Sequence, residues 1–248
     1  MLQYDLETYL NQLLEISRFR DYCPNGLQVE GHKQINTLIS GVTASLELIE
    51  MAIACNADAI LVHHGYFWKG EEPCIRGMKH QRLSLLLKHK INLFAYHLPL
   101  DAHLELGNNI QLARRLGLQY DGTFGEQAIA MHGQLANRMM LGDFGKTIAT
   151  SLNREPLIIG DLSQKVQRIA WCTGAAQGYF EEAIDARVDA FITGEISEQN
   201  VHMARESGVA FIAAGHHATE RYGVQALGTH IAQRFGVNHE FIDLMNPV

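Results

Sequence analysis

From Ile35 to His64 the chain runs through a β-rich stretch, an amphipathic stretch, an Asp-Ala turn and a second apolar run, Ala59–Val62. Val166 to Glu195 reads the same way. Strand, helix, strand is the order these patterns predict. The two segments align without a gap. Ile35 falls on Val166, Leu38 on Ile169, Glu50 on Glu181, Ala52-Ile53 on Ala183-Ile184 and Asp58-Ala59 on Asp189-Ala190, each pair 131 positions apart.

A second alignment follows at an offset of 119. It pairs Leu93 with Ile212, Ala95 with Ala214, His97 with His216, Asp101 with Glu220, Ala113 with Ala232, Arg115 with Arg234 and Gly117 with Gly236. The offset shrinks because the first half carries a loop, Tyr66 to Gly77, that the second lacks. Similar repeats in one chain indicate an internal duplication. The expected fold is α/β: two related α/β lobes with mainly parallel sheets, packed about a pseudo-two-fold with a metal cleft between them. The expected boundaries are 1–120 for the first lobe, 121–165 for a connecting segment and 166–248 for the second lobe, which is free to interleave with the first. In the connecting segment we expect a strand pair around Gln127–Ala136, a helix around Lys146–Asn153 and the short run Leu157–Ile159.

Composition narrows the setting. A net charge of -7 argues against a surface built to neutralise phosphates, so duplex nucleic acid is not the expected partner. Met1–Arg20 carries Asp5, Glu7 and Glu15 among apolar residues at helical spacing, unlike a signal peptide, and no stretch approaches a membrane span. Cys23, Cys55, Cys74 and Cys172 show no paired short spacing, and Cys55 and Cys172 read as small core residues. That pattern fits a reducing cytoplasm rather than zinc–thiolate chemistry.

The candidate chemistry lies at strand ends. His63 and His64 are adjacent, so on a strand they point to opposite faces and cannot both be core. His97-x-x-x-Asp101 follows the strand Ile91–Tyr96, and His216-x-x-x-Glu220 follows Val209–Ala214. A spacing of four puts both side chains of a pair on one face of a turn or helix, within reach of one ion. Strand carboxyl ends are where open α/β sheets bind ligands. Four His and two carboxylates exceed the three or four ligands of one catalytic zinc and suit two divalent ions. Nitrogen and oxygen donors without sulfur do not choose among Zn, Mn, Fe and Ni. Glu195, in Thr193-Gly194-Glu195, is a candidate partner of a metal ligand or a general base, and a surface acid fits as well.

Asn25-Gly26-Leu27-Gln28-Val29, His63-His64-Gly65, His97-Leu98-Pro99-Leu100-Asp101, Thr193-Gly194-Glu195 and Gly215-His216-His217-Ala218-Thr219-Glu220 together resemble one family. It is the YbgI or Nif-three-like group, also described as GTP cyclohydrolase I type 2 homologues. The resemblance covers nearly the whole chain. It implies a dinuclear metal centre held by His63, His64, His97, Asp101, His216 and Glu220, and a ring-shaped homohexamer with its metals facing a central cavity. Relatives vary at His217, which is left out of the ligand set.

The expected function is that of a metal-dependent hydrolase, cyclohydrolase-like, acting on a nucleotide or related heterocycle through metal-activated water. The alternative is a non-enzymatic metal-binding, carrier or regulatory assembly protein. No G-x-x-x-x-G-K-[ST] loop is present, so a nucleotide would be held by other means. Lys69, Arg76, Lys79, His80 and Arg82 are candidates to meet phosphates or to form a solvated basic loop.

Overall fold

A computed structural model describes residues 1–248. The chain divides into two compact units. One comprises Met1–Gly107 with Gly223–Met245, the other Asn108–Tyr222 with Asn246–Val248.

The first unit is built on a five-stranded sheet in the order β1-β4-β3-β2-β11, with β1 Gly26–Val29, β2 Thr37–Thr43, β3 Ala59–His64, β4 Asn92–Ala95 and β11 Asn238–Phe241. Strands β4, β3, β2 and β11 run parallel, and β1 pairs antiparallel at the edge. Ala59 to Val62 are all fully buried, as the apolar run requires of a strand covered on both faces. Helix α1 (Gln3–Leu13) packs Leu6 and Leu10 with Leu38, Leu61 and Phe94 on one face. Helices α2 (Leu46–Ala54) and α3 (Gly77–His89) pack Leu48, Ile49 and Leu86 with Ile60, Val62 and Leu93 on the other. The Ser45 hydroxyl accepts the Leu48 N–H and so starts α2 as an N-cap.

The second unit holds a six-stranded sheet in the order β5-β6-β8-β9-β10-β7. Its strands are β5 Leu118–Phe124, β6 Ala130–Met140, β7 Leu157–Ile159, β8 Lys165–Trp171, β9 Ala190–Thr193 and β10 Ala210–Ala213. One face packs with α5 (Asn108–Leu116) and α6 (Leu141–Leu152) around Trp171, Phe144 and Ile192. On α7 (Phe180–Asp185), Phe180 meets Phe191 and Phe211 at 5.9 and 4.8 Å between ring centres. Helix α8 (Glu198–Ser207) joins β9 to β10.

The same bonding device opens both parallel sets. Asp58 Oδ2 accepts the N–H groups of Asn36 and Thr37, which leads the chain into β2. Asp189 Oδ2 accepts those of Gln167 and Arg168 in β8. Asp58 and Asp189 are the Asp-Ala residues matched in the sequence.

Several expectations need correction. The second sheet is mixed, not mainly parallel: three of its five pairings are antiparallel. The cause is the connecting segment, which is no separate linker. It contributes β6, which pairs antiparallel with β5 and β8, and β7, which pairs antiparallel with β10 at the sheet's edge. The strand pair expected around Gln127–Ala136 is instead β5 with β6, 11 residues long. The boundaries differ too. Helix α5 falls in the second unit because Ile110, Leu112, Ala113 and Leu116 belong to the Trp171 core. Strand β11 falls in the first because it pairs with β2. Short helix α4 (Leu98–Ala102) follows β4, and the 20-residue α9 (His216–Phe235) follows β10. Cys55 is not core but exposed just beyond α2, while Cys172 is buried as expected. No helix is long and apolar enough to cross a membrane.

Candidate metal centre

Strand β3 delivers the histidine pair. His63 is fully buried and His64 is partly exposed, in keeping with their opposite directions. Their rings are nevertheless only 4.6 Å apart, and the His97 ring lies 5.0 Å from His63 and 5.8 Å from His64. One donor atom from each of His63, His64 and His97 falls within 4.8 Å of the others. Asp101, on α4, places Oδ1 3.4 Å from His63 Nε2 and is 5% exposed. The first unit thus gathers four of the expected ligands.

What holds these imidazoles decides which nitrogen they present. The His63 Nδ1–H donates to the Tyr96 carbonyl at 2.9 Å. The His97 Nδ1–H donates to Asp21 Oδ1 at 2.7 Å. His64 Nδ1 lies 3.3 Å from the Thr43 hydroxyl. The carbonyl and the carboxylate accept only, so His63 and His97 carry the proton on Nδ1 and present the Nε2 lone pair, the arrangement by which metal-binding histidines are oriented. Burial works against a charge on Asp21, but bonds from His97, Asn25 and Tyr22 outweigh it and hold the carboxyl below its usual pKa. Asp21 also accepts the Leu98 N–H, and Asn25 Oδ1 accepts the His97 N–H, so the His97 backbone and ring are both fixed.

In the second unit the pair is His216 and Glu220, on the first turn and a half of α9. Glu220 is buried, and its Oε2 lies 3.1 Å from His216 Nε2. The His216 Nδ1–H donates to Glu195 Oε1 at 2.7 Å. Burial disfavours charge on His216, yet Glu220 and Glu195 overcome it and push the imidazole up to about 9. The space is cut to fit. Gly174 sits at φ +70°, and a Cβ there would fall 2.1 Å from Glu220 Oε1.

The donor chemistry therefore fits divalent ions: four imidazoles with Nδ1 occupied, and two buried carboxylates beside Nε2 atoms. Glu195 orients His216, which is the partner role among those open to it. His217, which the resemblance leaves out of the ligand set, donates its backbone N–H to the Val248 carbonyl. Two of the loop cations are taken up locally: Lys79 pairs with Glu71 at 3.2 Å and Arg76 with Glu72 at 4.0 Å. Asp21 was missed by sequence reasoning. Its one signal is its position four residues before Asn25, whose amide it also binds at 2.8 Å.

Fold and site together define an α/β protein with two mixed sheets and histidine–carboxylate clusters suited to divalent metal. Residues 1–247 match the family model of Duf34/NIF3 (NGG1p interacting factor 3), and the chain belongs to that family. A GTP cyclohydrolase 1 type 2 homolog of Pseudomonas aeruginosa is 56% identical over 240 residues, which cover 96% of this chain and 95% of the relative. One of Yersinia pestis is 52% identical over 248 residues, covering 100% of both. The solved structure of protein ybgI, of unknown function, has a TM-score of 0.96 at 47% identity and covers 100% of both chains.

Proposed function

We propose that this protein is a dinuclear metal-dependent hydrolase of the GTP cyclohydrolase 1 type 2 homologue kind, acting on a nucleotide or related heterocycle. His63, His64, His97, Asp101, His216 and Glu220 supply the ligands of two divalent ions. The observation that carries the reading is that Tyr96, Asp21, Thr43 and Glu195 each engage the Nδ1 of one histidine of the set. Bound divalent ions would supply Lewis acidity and a water ionised near neutral pH. The chain's own part is orientation. Asp21 and Glu195 keep His97 and His216 in one tautomer and raise their basicity, and Asp101 and Glu220 offset positive charge. The resemblance to the family also supports assembly as a homohexamer, which sedimentation tests directly.

The test is to reconstitute the protein with Zn, Mn, Fe or Ni, measure ions per chain, and assay GTP and pterin-type compounds for ring opening. We expect close to two ions per chain and turnover that disappears in His97→Ala. A plateau at one ion or none overturns the dinuclear centre. Two ions with no turnover on any heterocycle leaves the carrier reading in its place.

A further inference from the structure

The loop Tyr66–Gly77, which the first half carries and the second lacks, packs little of the core. Of its aromatic residues only Tyr66 belongs to a core cluster. Trp68 instead lies against the metal-site imidazoles, its ring centre 5.0 Å from that of His97 and 6.0 Å from that of His64. The contact with His97 is edge to face, at 83°. The chain's other tryptophan, Trp171, is fully buried in the second unit. Trp68 is partly exposed.

The loop is held firmly to keep it there. The indole N–H donates to the Gly65 carbonyl at 3.2 Å, and the Trp68 backbone N–H donates to Glu71. Lys69 N–H donates to the Tyr22 carbonyl, tying the loop to the segment that carries Asp21. Lys79 on α3 reaches Glu71 and lies 5.1 Å from the centre of the Phe67 ring. Phe67, just before the tryptophan, sits at φ +65°, a backbone region that bulky residues rarely occupy. Such strain persists only where the surroundings enforce it, and it gathers at functional sites. A large indole that the core does not use is thus locked beside two candidate ligands.

We infer that Trp68 is the aromatic wall of the substrate site and selects a planar nitrogen heterocycle over other phosphate-bearing molecules. This rests on the proposed function and names the residue that would read its substrate's ring. Indole faces and edges attract heterocyclic bases with little regard to their hydrogen-bond pattern, and one such stack changes affinity by about tenfold or more. A wall so close to the imidazoles would set the ring next to the ions.

The experiment compares the metal-loaded parent, Trp68→Ala and Trp68→Phe. It measures ions per chain and the binding of GTP and of inorganic tripolyphosphate, which has the phosphates without the ring. We expect Trp68→Ala to keep its metal, to bind tripolyphosphate as the parent does, and to lose about tenfold or more in GTP affinity, with Trp68→Phe recovering part of it. Unchanged GTP affinity in a fully loaded Trp68→Ala overturns the inference alone. Loss of metal in that variant overturns it too, making Trp68 a shield for the ligands. A parent that binds GTP no better than tripolyphosphate overturns the inference together with the heterocycle reading.

Discussion

The two strand ends that present His97 and His216 solve one problem with different materials. In the first unit the carboxylate on Nδ1 is Asp21, from a segment far upstream in the chain. In the second it is Glu195, from the end of the neighbouring strand. The backbone paths differ as well. Tyr96 N–H donates to the Val62 carbonyl, and His97 comes next. Ala214 N–H donates to the Thr193 carbonyl, and Gly215 intervenes before His216. The ladders place Phe94 opposite Leu61 and Ile212 opposite Ile192. Phe94, rather than Leu93, therefore stands where Ile212 does, and the expected pairings of Leu93 with Ile212 and Ala95 with Ala214 are one residue out. A one-residue slip reverses the face of every strand residue. Gly215, at φ +98°, absorbs that slip and restores the offset at the histidines. The lesson is that an imidazole held through Nδ1 by a carboxylate recurs although neither the source of the carboxylate nor the path to the histidine does.

The largest effect that would break this comparison is at the acids. Glu220→Ala should strip at least half of the bound metal, because it removes a buried ligand-type carboxylate 3.1 Å from His216 and leaves cationic charge without an offset. His217→Ala, by contrast, should retain metal. Elemental analysis of both variants decides, and equal metal content would show that the wrong pair was chosen.

Next in size is the slip itself. Gly215→Ala puts a side chain into a left-handed backbone and a Cβ 2.4 Å from Arg154 Nε. A loss of about 2 kcal/mol or more in unfolding free energy is expected from strain of this kind, read by denaturant titration. Parent-like stability would mean that the extra residue is accommodated elsewhere.

The finest distinction is between the two anchors. Asp21→Asn and Glu195→Gln should each weaken metal binding, by about 10- to 100-fold. Asp21→Asn should be the worse, since Asp21 also receives the Leu98, Tyr22 and Asn25 donors. Competition with a chelator of known affinity measures both. A larger loss in Glu195→Gln would reverse the ranking.

How much of this was legible from the chain follows from range. His63-His64 after an apolar run, and the two histidine–acid pairs, are local patterns, and each lands at a strand end. The Asp-Ala turns were legible for the same reason: Asp58 and Asp189 bind the strand beside their own. Asp21 was not, because its task depends on a segment without periodicity folding back to His97. Trp68 was hidden in a loop whose path rests on a positive φ at Phe67, which no pattern announces. The mixed second sheet was hidden because a hairpin strand and a parallel strand share one alternation. Even the slip at Gly215 escaped, since matching apolar class cannot tell a residue from its neighbour on the opposite face.

Gly117 and Gly236 end α5 and α9 at nearly the same left-handed φ, +69° and +68°. Yet α5 belongs to the second unit, and Gly223 onward, most of α9, to the first. That exchange of trailing segments dictates an order of events during synthesis. Residues 108–222 are one continuous stretch, so that unit has nearly all of its parts as soon as it leaves the ribosome. The first unit, though it emerges earlier, lacks a strand: β11 pairs with β2 about two hundred residues upstream. Contacts so distant in the chain close slowly and late. His63, His64, His97 and Asp101 therefore lie in the unit whose sheet is completed by a strand from beyond the second unit, and nascent chains that stop short of β11 should hold that sheet without its β2-edge neighbour.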